Sequence, residues 1–93
     1  MFDIKKFDGS NFALWKEQIQ DILVQKKHRA PIAFATRQVA LTEHFKVTQF
    51  EWEELDAMAR STICLHLVES VYFTVLDCAT THATWVKLCN TYE

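Results

Sequence analysis

Glycine and proline are almost missing from this chain: Gly9 and Pro31 are the only ones in 93 residues. Small sheet-rich domains need turn-forming residues at regular spacing. Their scarcity excludes a strand-and-turn architecture and predicts a few long helices. With Gly9 alone, no glycine-rich phosphate loop can form. No run of 18 apolar residues occurs, so no membrane-spanning helix is expected. No charged leader followed by an apolar run and a cleavage site opens the sequence. The three cysteines are an odd number without framework spacing, which argues against a disulfide scaffold. The expected setting is cytoplasmic, with reduced thiols. A basic excess is missing as well, since the formal net charge is -2, whereas nucleic-acid binders carry a basic patch or stripe. The one basic cluster, Lys26, Lys27, His28 and Arg29, reads as a cationic helix end favoured by the dipole; a phosphate contact is the weaker alternative.

What is present is ordinary globular material: 49% hydrophobic and 24% charged residues. That composition and length support one domain, residues 1–93. Surface scaling gives a folded area of about 5,600 Å² and burial of roughly 65% of the unfolded surface, so a modest core is available.

The opening is dense in aromatics. Phe7 precedes a turn at Asp8 and Gly9, and Ser10 is the expected N-cap of a first helix. Phe12, Trp15, Ile19, Ile22 and Leu23 then follow helical spacing and fall on one core-facing stripe. Glu17, Gln20, Asp21 and Gln25 lie outside it. Phe7 can fold back over the first turn as a staple, so these aromatics anchor the N-terminus to the core. If Trp15 is buried, Trp15→Ala should cost about 3–5 kcal/mol.

From His28 to Val47 no single period dominates. Pro31 can open a helix, with Phe34, Leu41 and Phe45 sharing a face. Val39/Leu41 and Phe45/Val47 also fit strand alternation. The expectation is a short helix with irregular flanks. Thr48-Gln49-Phe50-Glu51 is a capping box. After it, Trp52, Leu55, Met58, Ala59, Thr62, Ile63, His66 and Leu67 form one side of a helix. Glu53, Glu54 and Arg60 form the other. Asp56 and Arg60 stand four apart in the favourable order for an ion pair. Val71 to Leu76 is apolar almost all round, and periodicity does not choose between strand and buried helix. Thr81 is the expected cap of a last helix carrying Trp85, Leu88, Cys89 and Tyr92 on one face. That pattern is still running at Glu93, which predicts a piece of a longer chain. The sum is an all-α fold, a small bundle of four to five helices. Trp15, Trp52 and Trp85 should meet in its core.

Chemistry-bearing residues are few. His66 lies on an apolar helix face and reads as a core histidine satisfied by one hydrogen bond. Cys64 points away from it. Cys78 and His82 are separated by a polar break, and zinc needs three or four convergent ligands. No cysteine–histidine nucleophile pair is supported. The expectation is no catalytic residue, no metal site and no cofactor.

The strings KFDGSNFALWKEQIQDIL, EWEELDAMARSTICLHL and TWVKLCNTYE together resemble the N-terminal Gag region of copia-class LTR retrotransposons. The matching opening pattern is Phe7, Gly9, Asn11, Phe12 and Trp15. The middle pattern is Trp52, Asp56, Ala59 and Ile63, and the closing one is Trp85, Leu88 and Tyr92. Thr80-Thr81-His82 stands where that family usually has Thr-Ala, and His28 to Val47 departs from its Leu-rich loop. The resemblance implies a helical, capsid-like domain resembling a capsid N-terminal domain, not an enzyme. It also implies that RNA is bound only by segments outside this chain, such as a downstream zinc knuckle.

The functional expectation is a structural module that associates with itself. An interaction module of a host protein, binding a non-self protein through a groove, is the alternative. The motif residues expected to build the fold are Phe7, Phe12, Trp15, Ile19, Trp52, Leu55, Ile63, Trp85, Leu88 and Tyr92. Leu14, Val24 and Leu65 lie off the core stripes and are the candidate contacts to a neighbour.

Overall fold

A computed structural model describes residues 4–93. Among these residues the chain forms six helices in the order α1 Phe12–Lys26, α2 Ala30–Ala33, α3 Arg37–Thr42, α4 Gln49–Leu65, α5 Glu69–Phe73 and α6 Thr81–Tyr92. The all-α expectation holds. The count exceeds four to five because the stretch from His28 to Val47 breaks into two short helices, α2 and α3. Val71 to Leu76 resolves into the one-turn helix α5 followed by a turn. The fold exposes 5913 Å², close to the area that its size requires.

Helix α1 buries Phe12, Trp15, Ile19, Ile22 and Leu23, the stripe its periodicity marked out. Its cap is not Ser10. Asp8 Oδ1 accepts both the Ser10 amide (3.0 Å) and the Ser10 hydroxyl (2.6 Å), so the hydroxyl is turned back into the preceding turn. Asn11 becomes the N-cap in the left-handed region, at φ 56°. Asn is among the few side chains that tolerate it. Gly9 sits at φ 103°, which favours a residue without Cβ. The Gly9 and Asn11 of the aromatic motif therefore make one tight turn that presents Phe7 and Phe12 to the same side.

The far end of α1 closes without glycine. Lys27 adopts φ 62°, and the Lys27 and His28 amides reach back to the Val24 and Leu23 carbonyls. This is the Schellman arrangement.

Helix α4 opens with the capping box read from Thr48 and Glu51, both halves of which are formed. It packs on α1, α2 and α6. Its buried face is Trp52, Ala59, Thr62 and Ile63; Leu55 is half-buried. Met58, expected on that face, is 48% exposed. It lies about 100° from Ala59 around the helix, outside the arc that α1 and α6 cover.

Helix α6 is capped by Thr80 rather than Thr81: Thr80 Oγ1 accepts the Ala83 amide at 3.1 Å. Thr81 is fully buried and spends its hydroxyl on the Asp56 carbonyl (2.6 Å), while Asp56 Oδ1 accepts the Thr81 amide (3.0 Å). These two bonds, both donated by Thr81 and accepted by Asp56, clamp the start of α6 to the middle of α4. The anticipated Asp56–Arg60 pairing gives way to it. Arg60 instead donates to the Cys78 carbonyl (2.8 Å) and the Val75 carbonyl (3.3 Å), holding the α5–α6 turn.

Candidate functional site

The aromatic motif residues converge at one end of the bundle. Phe7 stacks edge-on to Phe12 (5.3 Å) and Tyr92 (4.8 Å), and Trp15 lies 5.2 Å from Phe7 and 6.1 Å from Trp85. The backbone fixes the arrangement. The Phe7 amide donates to the His66 carbonyl (2.8 Å) and the Val68 amide to the Phe7 carbonyl (3.0 Å), a parallel bridge between Phe7 and Leu67. Trp15 Nε1–H donates to the same His66 carbonyl at 3.1 Å. Phe7, Phe12, Trp15, Ile19, Ile63, Trp85 and Leu88 all belong to this cluster, with Tyr92 packed against it. Trp52 is buried but stands apart from the cluster. The three tryptophans therefore do not meet in one core.

The titratable residues serve the fold. His66 Nδ1 lies 2.7 Å from the Thr62 carbonyl and His82 Nδ1 lies 3.1 Å from the Ile32 carbonyl. The His82 contact ties α6 to α2. Burial pushes the Cys64 and Cys89 thiols above their ordinary range, which disfavours the thiolate that nucleophilic chemistry needs. Among the described residues no three His, Cys, Asp or Glu side chains gather as a metal site would require. Among the described residues no helix is long and apolar enough to cross a membrane. Among the described residues the one buried side-chain nitrogen or oxygen without a hydrogen-bond partner is His28 Nδ1.

Two surface features remain. A groove of about 840 Å³ runs between α4, α5 and the α5–α6 turn, lined by Trp52, Asp56, Arg60, Leu67 and Tyr72 among others. The other is the second face of α4. Phe50 is 71%, Met58 48% and Leu65 68% exposed. At 100° per residue they fall within an arc of about 80°, roughly opposite Ala59 and Ile63. Glu54 and Ser61 share that arc and are exposed too, and exposed Ala57 lies about 20° beyond its edge. Opposite its packed face the helix thus exposes a strip in which apolar side chains alternate with Glu54 and Ser61. Leu65 lies on this bare strip. Leu14 and Val24 are exposed on α1, a different helix, while Leu65 shares one side of α4 with Phe50 and Met58. Sequence reasoning missed Phe50 and assigned Met58 to the core; the spacings of eight residues from Phe50 to Met58 and seven from Met58 to Leu65 carried the signal.

The outer side of α4 thus carries three exposed apolar side chains, Phe50, Met58 and Leu65, with the polar Glu54 and Ser61 between them. Across 92 residues, 98% of this chain, the sequence is 27% identical to the "Retrovirus-related Pol polyprotein from transposon TNT 1-94" of Nicotiana tabacum. The matched stretch is the N-terminal region of that polyprotein, and the chain spans 7% of its length. The similarity fits a retrotransposon-derived N-terminal region. No family model and no solved structure matches the chain.

Proposed function

We propose that this chain is a non-catalytic, self-associating domain of the Gag, capsid-like kind from a copia-class retrotransposon or a domesticated copy. The observation that carries this reading is the two-sided α4: one face supplies the core and the other offers Phe50, Met58 and Leu65 to a neighbour. Apolar side chains aligned on one helix face, rather than scattered singly, mark interaction surfaces. The similarity to a transposon polyprotein supports the origin. Its cofactors are none, its partner is a second copy of itself, its setting is the cytoplasm, and RNA contact falls to segments outside these residues. Light scattering over a micromolar-to-millimolar concentration series tests the reading. A rising average mass is expected, and a strict monomer throughout would refute it.

The groove beside Trp52, Arg60 and Tyr72 favours the second reading, a host interaction module that binds a non-self protein between helices. Specific capture of such a partner, with no self-association, would select it over the first.

A further inference from the structure

Charge is unevenly spread along this chain. Residues 26–46 carry five cations, Lys26, Lys27, Arg29, Arg37 and Lys46, and one acid, Glu43. The rest carries five cations and eleven acids, so a segment of net charge +4 stands against a remainder of -6. The basic segment is the end of α1 with α2 and α3. Lys5, Lys16 and Lys87 form ion pairs, but Lys27, Arg29, Arg37 and Lys46 form none among the described residues. Lys27, Arg29 and His44 line a hollow of about 500 Å³, together with Phe34 and Phe45, whose rings lie 6.2 Å apart. Cations around paired aromatic rings suit an apolar ring flanked by carboxylates.

The chain carries such a knob beside the hollow. Phe50, 71% exposed, is the barest of its large apolar side chains, and Glu51, Glu53 and Glu54, all exposed, follow it. Phe50, Glu51 and Glu54 fall within about 100° around α4. They line a shallow depression that shares Phe45 with the basic hollow. We infer that a second copy of this chain covers the hollow, with its Phe50 against Phe34 and Phe45 and its Glu51 and Glu54 against Lys27 and Arg29. The inference rests on the self-association reading and specifies its contact. Because knob and hollow adjoin, a two-fold axis passing by Phe45 exchanges them, so each copy gives one knob and receives one. An unrelated acidic protein would fill the hollow but leave the knob bare. Glu43 in the hollow and Lys46 beside the knob oppose the pairing in part. The contact is also small beside the roughly 800 Å² per partner of a standard stable complex. The dimer is therefore weak and sensitive to salt.

Sedimentation equilibrium of the 93-residue chain tests the contact, with helix content checked by circular dichroism. Raising NaCl from about 0.05 M to about 0.5 M should weaken association about fivefold or more. Arg29→Glu and Glu54→Lys change exposed residues, and each variant sets like charges together at two symmetric contacts. Each should weaken the dimer about tenfold. An equal mixture of the two variants sets opposite charges at both contacts and should associate within about threefold of the parent. Variants that associate as the parent does, a mixture that stays dissociated, or association indifferent to salt each overturn this contact while leaving self-association intact. A parent chain that stays monomeric overturns both.

Discussion

Asp56→Ala should unfold this domain more readily than any substitution of an exposed charge. The Asp56 carboxylate accepts the Thr81 amide at 3.0 Å, at the first residue of α6. A hydrogen bond to a charged group contributes about 1.5–3 kcal/mol. A carboxylate at a helix N-terminus adds about 0.3–1 kcal/mol through the dipole. Removal also strands the amide of a fully buried residue. Alanine returns about 0.5 kcal/mol of helix propensity within α4. The net loss is about 2–3 kcal/mol, equivalent to a melting-temperature drop of about 10–20 °C at this size. Asp56→Asn keeps an acceptor oxygen and should lose only about 0.5–1.5 kcal/mol. Thr81→Val removes the other half of the clamp, the hydroxyl bond to the Asp56 carbonyl. The double variant Asp56→Ala, Thr81→Val should be less damaging than the sum of the singles by about 0.5–1.5 kcal/mol, because both bonds share one joint. Urea titrations followed by tryptophan fluorescence measure all four stabilities. If Asp56→Ala falls within about 0.5 kcal/mol of the parent, or the two changes simply add, the clamp does not hold α6 to α4.

Two further outcomes follow from local geometry. Gly9→Ala should cost about 1–3 kcal/mol: the new Cβ would meet Tyr92 Cε1 at an unstrained 3.8 Å, so the penalty comes from φ 103° alone. An unchanged melting temperature would show that the turn can relax. His28 is held below its ordinary pKa of 6.5, first by burial and then by the Lys26 charge. The folded chain therefore favours the neutral ring. Its contribution is complete above the unfolded value of 6.5 and is lost as pH falls from there through the lower folded pKa. Melting temperature should drop more between about pH 7.5 and about pH 5 in the parent than in His28→Leu; equal drops would place His28 outside the linkage.

The helices that could be read from sequence are those whose signals are local. The α1 stripe declares itself through one uninterrupted 100° period, and Thr48 with Glu51 declares the start of α4 through a reciprocal bond three residues long. Where two neighbouring residues could serve, tertiary contacts decided. Ser10 loses the cap because Asp8 takes its hydroxyl, and Thr81 loses it to Thr80 because Asp56 takes its own. Asp56 and Arg60 have the spacing of a helix pair, yet each finds a better-desolvated partner on another segment. The His28 to Val47 stretch resisted because α2 and α3 are too short for a period to show. There Phe34 and Phe45 do come together at 6.2 Å, while Leu41 stays 37% exposed. The bare strip of α4 was half visible: Leu65 stood out as misplaced, but Met58 was absorbed by the opposite face, since a flexible apolar side chain fits either description.

The double use of the His66 carbonyl has a consequence for biogenesis. Trp15 reaches it across 51 residues of sequence, and Phe7 is covered on its other side by Tyr92. A ribosome makes Phe7, Phe12 and Trp15 first and their shelter last. Throughout that interval the nascent chain displays three uncovered rings, a natural foothold for chaperones and the moment when this domain is most exposed to aggregation.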